Sequence, residues 1–202
     1  IVMNPDIRLV SPIFSSIYQV LCDNQVGMLG VNFIDGSNPF YFKPEHMTVV
    51  KEFLLKWYIK RKKYDSSQMY MSGSFLAFNR QTFINAGSFD ETIFLYLEEP
   101  DITNRIQRTG KDVYWCPDMY VLHLPHPSVF NDFVYKNQIV SLKYYSEKYN
   151  FDLSANLKTR IRYLQIKFVG AFLLKNGKKR DFFKSLILFY KQEYKESKTK
   201  QI

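Results

Sequence analysis

The chain has 202 residues, 46% of them hydrophobic and 17% aromatic, which excludes an intrinsically disordered segment and allows a sizeable core. Its formal net charge of +9 belongs to one end, because residues 156–202 hold 13 Lys and Arg against 3 Asp and Glu while residues 1–155 are close to neutral. Cys22 and Cys116 are too few for a disulfide scaffold and lack metal-knuckle spacing, so both read as buried free thiols in a reducing compartment; with no signal-peptide pattern and an apolar run, residues 168–174, too short to cross a bilayer, a soluble or peripheral protein is expected.

Residues 1–6 read as an apolar strand running into the turn Asn4-Pro5-Asp6. That turn sets the Asp6 carboxylate just beyond the strand's carboxyl end, where open α/β sheets place their ligands. The same position also suits capping of a following helix. Apolar residues at 9, 10, 13, 14, 17, 20 and 21 recur with helical rhythm and predict a helix over residues 9–22, with Pro12 in its first turn. A buried strand over residues 26–34 and a loop over 35–39 follow. Residues 47–63 suit an amphipathic helix ending in the cations Lys60-Arg61-Lys62-Lys63. Such a run attracts an anionic acceptor or lipid headgroup or, more commonly, is simply solvated. His46 has no partner nearby in sequence and receives no role.

Residues 69–78 predict one extended apolar strand with Ser72-Gly73-Ser74 in its middle, where glycine permits close approach of a ligand or marks a bulge. A short helix ends at Gly87, with Phe83, Ala86 and Phe89 toward the core and Asp90 fixing the next loop. Glu98, Glu99 and Asp101 then bring three acidic groups to the start of a helix that ends at Gly110. Complementing the helix dipole accounts for such a cluster, and so does a site. Asp101 and Arg105, four residues apart, pair on one helix face. A strand over residues 113–116 is stopped by Pro117, and a second over 119–122 delivers His123, which is a structural residue or a metal ligand. Residues 129–149, 157–174 and 182–194 predict three helices, with a breaker at 175–180. The interleaved aromatics and cations of residues 182–191 suit either a membrane interface or packing against the preceding domain or a second subunit. Nucleic-acid binding, the other use of a basic, aromatic-rich surface, finds no recognisable module here.

The ordered run from Ser72-Gly73-Ser74-Phe75-Leu76-Ala77-Phe78, through Gly87-Ser88-Phe89-Asp90-Glu91 and Glu98-Glu99-Pro100-Asp101-Ile102, to His123 resembles the acceptor half of the family 2 glycosyltransferases, particularly their rhamnosyltransferase-like members. The similarity covers residues 1–128. It implies an α/β fold, a GT-A-like mixed sheet flanked by helices over residues 1–128, followed by a basic, aromatic-rich helical extension over 129–202. The implied reaction is inverting transfer of a sugar from a nucleotide-diphosphate-sugar donor to a hydroxyl of a polysaccharide or lipid-linked glycan acceptor. The implied place is the cytoplasm, either free or peripheral at the inner face of the cell membrane. Asn4-Pro5-Asp6 matches the N-x-D form of the metal motif, so Asp6 would hold the Mn²⁺ or Mg²⁺ that bridges the donor's two phosphates. Gly73 and Ser74 would lie beside the donor sugar and diphosphate.

The Glu98-to-Asp101 segment, with Arg105, matches the family's E-D-x-D pattern, which makes Glu99 the general base and Glu98 the residue that orients the acceptor. Glutamate where the family favours aspartate, and Pro100 where it favours a small aliphatic residue, leave the choice between Glu98 and Glu99 open. His123 matches a histidine that completes the metal site, with His126 as fallback. Family members carry nucleotide-base-binding strands ahead of the N-x-D motif, and this chain begins almost at that motif. The resemblance therefore implies either a piece of a longer enzyme or a shortened, non-catalytic module that docks on a membrane surface or a partner enzyme through tail lysines such as Lys178, Lys179 and Lys184.

Overall fold

Short apolar runs that lie far apart in the chain meet in a mixed β-sheet. The computed structural model describes residues 1–124 and 131–199. In chain order they form β1 (Val2–Met3), β2 (Ile7–Leu9), α1 (Phe14–Leu21), β3 (Val26–Phe33), β4 (Phe40–Phe42), a 3-10 turn at Pro44–His46, α2 (Val49–Lys60), β5 (Met69–Met71), β6 (Phe75–Phe78), α3 (Arg80–Asn85), α4 (Glu98–Arg108), β7 (Asp112–His123), α5 (Asp132–Lys148), α6 (Leu153–Leu173) and α7 (Gly177–Thr199). The chain divides into two compact units, Ile1–Lys43 with Leu54–His126 and Pro44–Phe53 with Pro127–Ile202.

The first unit is α/β. Its five-stranded sheet has the order β1-β6-β3-β7-β2, and β4 pairs with β5 in a separate two-stranded sheet. Strands β3 and β7 run parallel while the other neighbours are antiparallel, so the sheet is mixed. Central β3 is covered on both faces, which is why it reads as a continuous apolar run rather than an alternation. Met28 belongs to a core with Met71, Leu76, Ile102, Ile106 and Trp115, and its neighbour Leu29 to a second core with Ile17, Phe75, Cys116 and Val121. Successive side chains of one strand thus serve opposite layers.

Three elements of the first unit differ from the sequence expectation. The helix expected over residues 9–22 begins only at Phe14, and Ile7–Leu9 is a strand paired antiparallel with the end of β7. Pro12 restricts the residue before it to extended backbone and so delays the helix instead of opening it. Asp6 accordingly caps no helix. The single strand expected over residues 69–78 is two strands in two different sheets, joined by a turn at residues 72–74. Gly73 is therefore neither a strand-interior glycine nor a bulge. The two strands expected around Pro117 are one, β7, which passes the proline at an irregularity where Cys116 pairs with Val31 and Tyr120 with the very next residue, Asn32. Proline is tolerated there because no ladder bond is asked of it, and Asn32 Nδ2 donates to its carbonyl at 3.3 Å.

Of the cysteines only Cys116 is buried, whereas Cys22, at the solvent-facing end of α1, is exposed; both are free thiols. The basic run at residues 60–63 spends part of its charge locally. Lys62 pairs with Asp118 at 2.6 Å, and Lys63 Nζ lies 4.9 Å from the Trp57 ring centroid.

Helix α4, which carries the acidic cluster, is pinned by two buried polar groups. Lys43, 1% exposed, donates to Asn104 Oδ1 at 2.6 Å, Gln107 Oε1 at 2.9 Å and the Ser67 carbonyl at 3.3 Å. Asp101, wholly buried, accepts from Arg105 Nε at 2.8 Å and forms an ion pair with its Nη2 at 2.7 Å, and Arg105 Nη1 donates on to the Ala86 carbonyl. Charges out of water persist only when they are paired or hydrogen-bonded in this way.

The second unit is helical. Ile139 and Leu142 of α5, Leu157 and Leu164 of α6, and Leu186 and Tyr190 of α7 are buried in it. Asn156 Nδ2 donates to the Pro44 carbonyl at 2.7 Å, Tyr145 donates to Glu45 Oε1 at 3.2 Å, and Lys143 pairs with Glu193 at 2.9 Å. The break between α6 and α7 is shorter than expected because Asn176 accepts from the Lys179 N–H at 3.1 Å and starts the last helix early. Burial of Leu186 and Tyr190 commits one face of residues 182–191 to packing within this unit. Among the described residues no helix is long and apolar enough to cross a membrane.

Candidate functional site

Strand direction decides what meets at the edge of the large sheet. The end of β1, the start of β6, the end of β3, the end of β7 and the start of β2 all fall on one rim, as the pairings Met3 with Phe75, Gly30 with Leu76, Phe33 with Val121 and Ile7 with His123 require. This is the carboxyl end of the parallel pair β3 and β7, the side on which open α/β sheets bind ligands. Asn4-Pro5-Asp6, Ser72-Gly73-Ser74, Asp35-Gly36-Ser37 and His123 are therefore gathered from four loops or strand ends. Asn4 N–H donates to the Ser74 carbonyl at 3.0 Å and ties the first two together.

Glu99 reaches this rim from the mouth of α4. Its Oε1 accepts the Gly73 N–H at 3.0 Å. A β-carbon on Gly73 would stand 2.9 Å from Glu99 Cδ and 2.9 Å from its Cγ, so any larger residue at 73 would displace the Glu99 side chain from its present position. Tyr96 and Leu97, immediately before α4, both have left-handed backbone, with φ of 64° and 75°. Two bulky residues in that region are a strained turn, and strain of this kind persists where the surrounding structure enforces it. Here buried Leu97 anchors the turn, which presents Glu98 and Glu99 together.

The electrostatics of the two glutamates follow from that position. Desolvation foremost, and then the neighbouring Glu98 charge, push the Glu99 carboxyl up to about 8, against smaller lowering contributions from the N–H groups of Glu99, Gly73 and Leu97. Desolvation likewise raises Glu98, and its Oε2 is buried without a hydrogen-bond partner among the described residues. The carboxylates thus do complement their own helix start, yet more charge is concentrated there than capping requires. Gly73→Ala is expected to cost about 1–3 kcal/mol in urea denaturation through overpacking against Glu99. A cost near zero would mean that the Glu99 side chain is not held on this turn.

On the far side of the rim Asp6 and His123 face each other across β2 and β7, with Asp6 Oδ2 3.3 Å from His123 Nε2. His123 Nδ1 lies 3.2 Å from Ser37 Oγ, and the Ser37 hydroxyl donates to Asp35 Oδ2. With its own proton directed at Asp35, Ser37 can only accept from His123, which selects the Nδ1–H tautomer. A neutral ring then turns its Nε2 lone pair toward the Asp6 carboxylate. Two acceptors at that distance are reconciled by a proton or by a cation. Among the described residues no group of three or more His, Cys, Asp and Glu side chains is arranged to hold a metal ion. A cation held between them would have two protein ligands and would take its remaining ligands from elsewhere, such as phosphate oxygens and water.

Asp6, Gly73, Ser74, Glu99 and His123 thus stand on one rim, with Glu98 beside Glu99 at the helix mouth. His126 lies outside the described residues. Ser37 and Asp35 had no signal in the sequence beyond loop composition, since Ser37 is 86 residues from the histidine it orients. No family model, curated protein or solved structure matches the chain.

Proposed function

We propose that the first unit is the acceptor-side part of a GT-A-type, family 2-like glycosyltransferase that moves a sugar, with inversion, from a nucleotide-diphosphate-sugar to a glycan hydroxyl. The observation that carries this reading is the Glu99 carboxylate, fixed on the Gly73 N–H with a raised affinity for protons, on the same sheet rim as Asp6 and His123. A base of that kind takes the proton from an acceptor hydroxyl as the oxygen attacks the anomeric carbon. Glu98, half-buried beside it with an unpartnered oxygen, can accept a second hydrogen bond and orient the acceptor.

The donor set of Asp6 Oδ2 and the His123 Nε2 lone pair fits Mn²⁺ or Mg²⁺. When bound, such an ion neutralises the departing diphosphate. Ser37 and Asp35 hold the imidazole in the tautomer that leaves Nε2 free for it. The basic, helical second unit is consistent with an acceptor kept near an anionic cytoplasmic membrane face.

Two readouts test the reading on the intact protein. Mn²⁺ binding followed by electron paramagnetic resonance is expected to weaken by more than about tenfold in Asp6→Asn, and by about tenfold in Ser37→Ala through loss of ring orientation. Release of nucleoside diphosphate from a panel of nucleotide sugars is expected to need the metal and to fall with Asp6→Asn. Unchanged Mn²⁺ affinity in Asp6→Asn, or no metal-dependent turnover with any donor, would reject the assignment.

A further inference from the structure

We infer that the tip of the α6–α7 hairpin is a docking surface for an anionic lipid bilayer. The two helices bury Leu157, Ile161, Leu164 and Ala171 of α6 with Leu186 and Tyr190 of α7, and on α6 that burial stops at Ala171. Every residue from 172 to 181 is exposed. Phe172, Leu173 and Leu174 are 62%, 72% and 81% exposed, and Ile166 and Val169 continue the apolar surface back along the same helix. The spacing of 166, 169, 172 and 173 puts these side chains on one helical stripe. Adjacent large apolar groups held at a turn, away from the unit's own core, mark a surface with an occupant.

The charge around the tip says which occupant. Residues 166–184 carry Lys167, Lys175, Lys178, Lys179, Arg180 and Lys184 against a single acid, Asp181, which Arg180 Nε engages at 3.1 Å. An apolar point inside a collar of cations is complementary to acyl chains beneath anionic headgroups, where lysine stems extend along the apolar layer and their ammonium groups stay at its surface. A second copy of the same tip would instead bring two cationic collars together. The inferred contact is with the bilayer surface, since among the described residues no helix is long and apolar enough to cross a membrane. It does not rest on the sugar-transfer reading and stands or falls separately from it. The face of residues 182–191 that the sequence offered for this role is partly spent on packing, and the larger exposed apolar surface lies at the end of α6, before the hairpin turn.

The test is vesicle co-sedimentation of the intact protein with mixed phosphatidylglycerol–phosphatidylcholine vesicles and with phosphatidylcholine alone. The wild type is expected to partition onto the anionic vesicles, less so in high salt, and weakly onto the neutral ones. The double variant Leu173→Asp, Leu174→Asp and the triple variant Lys178→Ser, Lys179→Ser, Arg180→Ser are each expected to lower partitioning by about tenfold or more. All of these side chains are exposed, so far-UV circular dichroism and Tm should match the wild type. Failure of the wild type to bind anionic vesicles, equal binding by folded variants, or loss in the variants of self-association instead of vesicle binding would each overturn the proposal.

Discussion

Replacing Glu99 by glutamine is expected to lower the rate of the proposed sugar transfer by about 10²–10⁴-fold and to leave the fold intact. The amide keeps the shape of the carboxylate but cannot take a proton. Because burial and the Glu98 charge hold the Glu99 carboxyl at about 8, wild-type kcat/KM is expected to rise with pH along an acid limb near that value. The limb belongs to the coupled pair. Glu98→Gln removes the charge that helps raise its neighbour, so this variant should retain activity with the limb moved to lower pH. If Glu98 were the base, the two variants would exchange behaviours. Transfer by Glu99→Gln at the starting rate would remove Glu99 from the chemistry.

The same residue makes stability depend on pH with a definite sign. Its folded-state pKa of about 8 lies above the ordinary 4.5, so the native state keeps a proton that the unfolded chain releases. Stability from this group is complete below the ordinary value and declines as pH rises through the window from about 4.5 to about 8. Glu99→Gln should therefore match the wild type in Tm near pH 5 and exceed it near pH 9. A constant difference across that range would mean that Glu99 is not desolvated as described.

Asp101→Ala is expected to destabilise the first unit by about 3–5 kcal/mol in urea or thermal unfolding. Asp101 is fully buried, and it is the anion for an Arg105 guanidinium that is itself mostly out of water. Truncation leaves that cation with the Ala86 carbonyl but no opposite charge, and α4 is less firmly tied to the end of α3. Adding Arg105→Met should recover much of the loss, because the cost lies in stranding one charge rather than in the pair's net strength. A single-variant cost below about 1 kcal/mol would mean that the pair is solvated.

Local periodicity made much of the fold readable. The largely apolar run of β3, the helical rhythm of the tail segments, and the Asp101–Arg105 spacing all depend on residues within one or two turns of each other. Gly87 and Gly110, with φ of 85° and 76°, likewise follow short-range rules, because only glycine enters that region without cost. The acidic cluster at the start of α4 and the strand-end histidine could be marked as candidates for the same reason. Residue type and position within an element are written into a short window of sequence.

What the tertiary structure alone decided is which strand end stands beside which. Leu9 falls in a helix-compatible pattern, and only pairing with β7 makes residues 7–9 the strand that sets Asp6 against His123. Residues 69–78 look like one strand until competing partners, β4 on one side and β3 on the other, split them at Ser72-Gly73-Ser74. That split exposes the backbone N–H that holds Glu99. Ser37 and Asp35 enter the site through contacts far longer in sequence than any local pattern spans. Periodicity chooses an element because neighbouring side chains share one face. Choice of partner depends on which distant edge offers unpaired backbone groups and apolar surface, and that competition is settled only when the whole sheet assembles.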